Sequence, residues 1–454
     1  MARVALDSDA GSNRVNELSS SQTTSILSVR DYGVTCSGST DDTTAMQNAI
    51  NVACNTGGRG KTLTLGNSCN VKLTSGLRIT KCSGITVDGG QSQGEASIGS
   101  AGGAESGNAA LLWYGPEGGT VLEINQTRDS VFKNLTVFAN ASNYKAHGAN
   151  TGILIDETTP VTNIVTNNHF NNVQVVNYST NSSFIGIDIC PTAPGNCEAQ
   201  NFDRLFLACA GHPPASSSSN GTGIKYEGAK GAEPYFEYIH WLEDSNCSPG
   251  IDVETTNILD IDGGLAAANW TDLLLNGGRN ISYRHVRSEE GKAQIVIGNP
   301  SYSGAHDLTV EENSFSGLTN HTTSISYSYS DTGGIIRLIK NDWDSNPTVT
   351  PFGPTGKGMF VGTFDSQDNN YPNATRCPIS SLAFAASYSS TTDTNCFPRL
   401  TEFSKLPQCK SNIERHQQAI TDSTTVSWGA IITGGGKNHV LAYCDGTHWT
   451  VSAH

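Results

Sequence analysis

The sequence predicts an all-β solenoid, a parallel β-helix with a short capping helix at its N-terminal end and a small β appendage at its C-terminal end. Three observations carry this. Short runs alternate apolar and polar side chains and stop at Gly or Asn, as half-buried strands between tight turns do. In the second half of the chain they recur about every 20 to 25 residues with no helical segment between them, the period of a coil whose turns bond to those above and below. Hairpin signals such as Asn-Gly and Asp-Gly between paired runs are few, which disfavours an antiparallel sandwich.

Taken in order, residues 1–28 are polar, Ser-rich and without period, a flexible lead-in. The following stretch brings Asp41 or Asp42 to the N-cap of a short amphipathic helix with Ala45, Ala49, Ile50 and Val52 on its apolar face. Strand-like runs then follow at 62–65, 77–80, 85–87, 121–124, 131–137, 152–155, 173–176, 185–189, 202–207, 236–242, 257–261, 280–286, 307–310 and 335–339. The β-helix domain is therefore set at 29–345. Residues 346–408 turn rich in Pro, Ser, Thr and Asn and read as a loop-rich, disulfide-bonded segment. The remaining 409–454 alternate like two or three strands joined by a Gly-rich turn, a small β segment whose expected role is to cover the open end of the coil. It resembles small β appendages at the ends of secreted bacterial and phage proteins.

Composition narrows the partners. A formal charge of −15 and a pI near 5.1 argue against nucleic acid or an anionic membrane, since no basic patch is available to displace counterions. Only 15% of residues are charged, so the surface is mostly Ser, Thr, Asn and Gly, which suits hydrogen bonding to sugars. Twelve Cys form no pattern with zinc spacing and read as disulfides, placing the protein in an oxidising, extracellular compartment. Neighbours in sequence pair plausibly as Cys69 with Cys82, Cys190 with Cys197, Cys209 with Cys247, Cys377 with Cys396 and Cys409 with Cys444, though spacing alone does not fix connectivity. No apolar run is long enough to span a bilayer, and the first 25 residues lack the apolar core of a signal peptide, so the chain is expected to be a mature, secreted form.

The segment DYGVTCSGSTDDTTAMQNAI (31–50), followed by GGRGKTLTLGNSCNVKLTSGLRI (57–79) and GITVDGG (84–90), resembles the opening of the pectate-lyase-like superfamily, which includes polygalacturonase-type hydrolases, polysaccharide lyases and phage tailspikes. The resemblance implies a right-handed coil whose helix caps the N-terminal end, structural roles for Asp41 and Asp42, and a monomer or homotrimer. It covers residues 31 to about 345 in pattern and is specific for fold rather than reaction. Of the hydrolase signatures Asn-Thr-Asp, Asp-Asp, Gly-His-Gly and Arg-Ile-Lys, the chain offers only RLIK at Arg337–Lys340, without its partners, and no Ca²⁺ motif of the lyases is recognisable.

Outward side chains on successive turns of a coil form a ladder about 4.8 Å apart. With Leu242, Ile261, Val286 and Val310 inward, strand alternation turns Trp241 and Glu243, Asp260 and Asp262, His285 and Arg287, and Thr309 and Glu311 outward on one face, with Glu289 continuing the parity of Arg287. Glu243, Asp262, Arg287 and Glu311 are 19, 25 and 24 residues apart, each compatible with one turn. Such a ladder has the carboxylic acid and the carboxylate that glycosidic cleavage requires. Glu243, Asp260, Asp262 and Glu289 are the candidate catalytic acids. Trp241, His285, Arg287 and Glu311 are the candidate substrate-binding residues, Trp241 by its face and the two cations by tuning the carboxylates. The same residues read equally as solvated surface and strand-end turns.

The expected activity is that of a secreted, endo-acting glycoside hydrolase on a polysaccharide or oligosaccharide, without cofactor. The alternatives are a polysaccharide lyase, for which Ca²⁺ would enter, and a non-catalytic tailspike-like glycan-binding protein. GGRGKT at 57–62 fails the phosphate-loop pattern, and nucleotide chemistry is not expected.

Overall fold

The computed structural model describes residues 26–54, 60–90, 109–140, 148–158, 165–178, 182–192, 197–209, 220–227, 235–291, 293–298, 307–316, 323–327, 332–343, 350–354, 361–370, 387–390, 402–406, 408–410, 414 and 417–453. They form a right-handed parallel β-helix followed by a small antiparallel sheet. Residues 1–25 of the expected lead-in lie outside the described residues. Ile26–Ser28 is already a strand, paired in parallel with Thr62–Thr64.

The helix Thr43–Cys54 is started by the two aspartates. Asp42 O accepts the first helical bond from Met46 N at 2.8 Å, while Asp41 Oδ1 accepts from Thr43 N and Oγ1 at 3.1 and 2.6 Å. Thr74 Oγ1 closes the other side of Asp41 at 2.7 Å, and bonds from Thr43 and Thr74 hold its carboxyl below the usual range. Asp42 is buried and takes Thr35 N and Oγ1 at 2.8 and 3.0 Å. The buried helix face is Met46, Ala49, Ile50 and Ala53 rather than the expected Ala45, Ala49, Ile50 and Val52. Met46 to Ala53 completes the i, i+3, i+4, i+7 stripe, which leaves Val52 40% exposed and Ala45 only partly buried.

Ten short strands form one wall of the coil: Leu77–Thr80, Thr120–Asn125, Thr151–Asp156, Ile185–Ile189, Thr222–Tyr226, Ile251–Val253, Thr271–Leu275, Ala293–Ile297, Thr323–Tyr327 and Thr350–Pro354. Each pairs in parallel with the next, so Leu122, Ile153, Ile187, Ile224, Ile251, Leu273, Ile295, Ile325 and Phe352 stack inward. A larger parallel sheet forms the other walls. Its inward column runs Phe132, Phe170, Phe202, Ile239, Ile261, Tyr283, Val310 and Leu338, with the first three rings stacked 5.0 and 4.8 Å apart. The parallel ladder runs on past 345, through Thr350–Pro354, Val361–Gln367 and Ser387–Ser390.

In the larger sheet the chain turns a corner at one left-handed residue per turn: Asn134, Asn172, Arg204, Trp241, Gly263, His285, Glu312, Lys340 and Asp368, all with φ between 50° and 85°. A bend of this kind strands main-chain groups, and buried asparagines satisfy them. Asn313, Asn341 and Asn369 each donate to a carbonyl of the preceding turn, Tyr283, Val310 and Leu338, at 2.9, 2.8 and 2.7 Å, and Asn313 and Asn341 also donate to the next asparagine's Oδ1.

Four disulfides are present among the described residues: Cys36–Cys69, Cys54–Cys82, Cys209–Cys247 and Cys409–Cys444. The last two match the expected pairs. Cys69 with Cys82 is corrected, because each faces the cap rather than the other: Cys36 precedes the helix and Cys54 ends it. Cys190 and Cys197 are buried thiols not joined to each other by a disulfide, which corrects that pair too. Cys377 and Cys396 lie outside the described residues. The C-terminal sheet has three antiparallel strands, Gln417–Ser423, Asn438–Cys444 and Trp449–Ala453, around their own core of Ile420, Val440, Ala442 and Val451.

Candidate functional site

The expected outward row is resolved by the corner into two. Register puts Glu243 beside Leu265, Arg287 and Ser314, after the bend, whereas Asp262 aligns with His240, Arg284 and Glu311 before it. Asp260 belongs to the earlier arm, Glu289 to the later one, and Trp241 and His285 stand on the bend itself. Local alternation predicted that these side chains point outward, but a left-handed residue redirects the strand between them, which alternation cannot foresee.

Near the bend the charged groups form a continuous line of ion pairs from Asp260 to Lys340. Arg284, which sequence reasoning passed over, grips both oxygens of Asp260 at 2.9 and 2.7 Å and lies 3.7 Å from Asp262. His285 Nδ1 meets Asp262 at 2.5 Å and its Nε2 meets Glu312 at 3.1 Å, and Lys340 donates to the same Glu312 at 2.9 Å. The bond to Asp262 raises His285, and the same bond holds Asp262 below the carboxylate range. Lys340, then His285, likewise lower Glu312. Arg287 pairs with Glu289. Carboxylates held ionised by cations bind and orient, and they are poor proton donors. Beside them lies a groove of about 340 Å³ lined by Asn172, Gln174, Arg204, Phe206, Trp241 and Glu243. Trp241 is 51% exposed, and its indole N–H donates to Glu243 Oε1 at 3.0 Å.

A different set of acids occupies the outer face of the ten-stranded wall. Register aligns Asp188, Lys225 and Asp252 on three successive turns, with Glu227 and Glu254 two residues beyond the last two. Lys225 Nζ bonds Glu227 at 2.5 Å, and Asn276 Nδ2 donates to Asp252 and Glu254 at 3.2 and 3.4 Å. Asp188 and Asp252 are only 7% and 8% exposed, and Asp188 Oδ1 has no hydrogen-bond partner. Burial, then the charge of Glu227, pushes Asp188 up to about 7; burial, then Glu254, pushes Asp252 up to about 6. Sequence reasoning missed these residues, yet a signal exists. GILID (152–156), GIDIC (186–190), GIKYE (223–227) and GIDVE (250–254) repeat one pattern at irregular spacing. Its glycine is required by close approach, since a Cβ at Gly186 would lie 2.5 Å from Gly223 O.

Among the described residues, Asp156, Cys190 and Cys197 are the group of three or more His, Cys, Asp or Glu whose ligand atoms lie within 4.8 Å of one another. All three are buried, and burial, then the bond to Cys190, drives the Cys197 thiol well up, which keeps it protonated and a weak ligand.

No protein-family model matches the sequence, and no curated protein is similar to it. Solved structures similar to the chain include the following three. Tailspike protein 2 of the Escherichia coli O157:H7 bacteriophage CAB120 is 12% identical over 92% of this chain and 53% of its own, with a TM-score of 0.45. Tailspike gp49 of the Acinetobacter baumannii bacteriophage Fri1, described as a capsular polysaccharide depolymerase, is 14% identical over 95% and 79%, at 0.43. The A-module of a mannuronan C-5 epimerase of Azotobacter vinelandii is 13% identical over 75% and 99%, at 0.39. The parallel β-helix fold of this chain rests on its own strand register. No helix among the described residues is long and apolar enough to cross a membrane.

Proposed function

We propose that the protein hydrolyses glycosidic bonds of an extracellular polysaccharide, with Asp188 as the general acid and Asp252 as the general base. One observation carries this reading: two nearly buried carboxyls stand two turns apart on the outer face of the ten-stranded wall, with a single lysine on the turn between them. Two turns separate their backbones by about 9.6 Å, at the upper end of the separation that leaves room for an attacking water and leads to inversion. The environments differ in the required direction. Asp188, the higher of the two, keeps a proton for the leaving oxygen where Asp252 has already lost its own and can activate water. Lys225, tied to Glu227, supplies the positive charge that lets an acid-rich face hold an ionised carboxylate.

In this reading the residues at the bend, on a corner of the larger sheet and not on the ten-stranded wall, take no part in cleavage and form a separate glycan-binding surface. Trp241 offers a flat face to a sugar ring, and Glu243, Asp260, Asp262, His285, Arg287, Glu289 and Glu311 present fixed polar groups around it. Four disulfides favour work outside the cell. Incubation with a panel of microbial, plant and algal polysaccharides tests the proposal. Hydrolysis yields new reducing ends without unsaturated products, and Asp188→Asn and Asp252→Asn each lose about 10²-fold or more of the rate. Unsaturated products would make it a lyase. Full activity in both variants, with loss in Asp262→Asn or Glu243→Gln, would move the chemistry to the bend.

A further inference from the structure

Among the buried acids that the proposed chemistry does not use, Asp244 and Asp272 stand side by side inside the coil. The inward column Val137, Val175, Leu207, Asp244, Ala266, Ser288, Phe315 is apolar except where Asp244 and Ser288 interrupt it. Asp244 and Asp272 are each 2% exposed. Among the described residues, three of their four carboxylate oxygens, both of Asp244 and Oδ2 of Asp272, lack a well-formed hydrogen bond, as does Asn246 Oδ1 two residues on, although the Asn269 amide lies near enough to Asp244, and the Ser288 hydroxyl near enough to Asp272, to lower each. The remaining oxygen, Asp272 Oδ1, takes one bond from Asn269 Nδ2 at 3.1 Å. These groups converge. A Cβ added to Gly250 would lie 2.0 Å from Asp244 Oδ2 and 2.8 Å from the Asp272 main-chain oxygen, which puts these two oxygens within 4.8 Å of each other, with Asn269 Nδ2 3.2 Å from the same position. Among the described residues, no salt bridge joins a lysine, arginine or histidine to either acid.

We infer that Asp244 and Asp272 hold a hard divalent cation of the calcium type inside the coil, a structural site separate from the proposed cleavage site. Two carboxylates carry the charge that one such ion cancels, and every orphaned atom in the set is an oxygen acceptor, the ligand type such ions select. A proton would satisfy one acceptor at a time, whereas a cation engages several at once. Buried carboxylates with neither are costly, as the rise of Asp244 to about 7 by burial expresses. Gly250 fits the same picture, since a side chain there would collide with the Asp244 carboxylate.

The full chain is equilibrated with calcium chloride, desalted, and assayed for bound metal by plasma mass spectrometry, with thermal unfolding followed with and without EGTA. The inference expects one calcium per chain, a midpoint lowered by at least about 3 °C on chelation, and loss of both effects in Asp244→Asn. Asp272→Asn serves as the second variant should the first fail to fold. Wild-type protein without stoichiometric metal and with a midpoint indifferent to EGTA overturns it, as does calcium retained equally by a folded Asp244→Asn or Asp272→Asn chain. Because none of these readouts is enzymatic, they stand or fall apart from the cleavage reading.

Discussion

Asp188 and Asp252 differ from the acids at the bend in how little compensates them. Asp260 accepts two bonds from the Arg284 guanidinium, and Asp262 is bonded to His285, which holds its carboxyl below the usual carboxylate range. Asp188 has an unpartnered oxygen and a like charge nearby. Lys225 neighbours and lowers both, but burial outweighs it in each, leaving Asp188 pushed up to about 7 and Asp252 to about 6. Catalysis needs the lower member ionised and the higher one protonated. The rate should therefore rise as pH climbs through about 6 and fall as it passes about 7, a narrow bell in kcat/KM against pH. Asp252→Asn should remove the acid limb from whatever activity remains. A profile flat from about pH 5 to 9 would exclude this pair as the acid and base.

At the scale of the element, the corner of the larger sheet depends on its asparagines. Asn341 accepts from Asn313 N at 3.1 Å, donates to Val310 O at 2.8 Å and to Asn369 Oδ1 at 3.0 Å, all inside the coil. Asn341→Ala leaves several buried backbone and amide groups unpaired and should lower unfolding stability by about 2–4 kcal/mol in urea titration. Asn171→Ala, at an exposed asparagine outside the left-handed region that donates to Asp203 at 2.7 Å, should cost about 0.5 kcal/mol or less. Equal losses would refute the structural role of the ladder. The strands were legible because alternation is local: every run from 62–65 to 335–339 falls on a strand. The corner was not, because alternation carries no information on a left-handed residue. Its trace in the sequence is faint, an asparagine following Glu312, Lys340 and Asp368. The acids of the ten-stranded wall were hidden differently, since their GI-x repeats recur at uneven intervals that a search for a fixed period passes over.

Across the whole molecule, each turn of the solenoid touches chiefly its neighbours, so stability is distributed along the axis rather than gathered in one centre. The ends are then the weak points, and the disulfides bear on one of them. Cys36–Cys69 and Cys54–Cys82 close loops of 33 and 28 residues and tie both ends of the capping helix to the first turns. Nearest-neighbour pairing by sequence failed here because stacking brings a cysteine opposite one a full turn away. Each link should restrain the unfolded chain by about 3–4 kcal/mol. In a quasi-linear fold that loss stays local. Replacing Cys54 and Cys82 together by Ser should speed amide hydrogen exchange across 62–90, where the helix covers the open end, and leave 293–343 unchanged. Uniform acceleration along the chain would mean that the coil unfolds as one cooperative body, with the cap a contributor to global stability rather than a lock on its end.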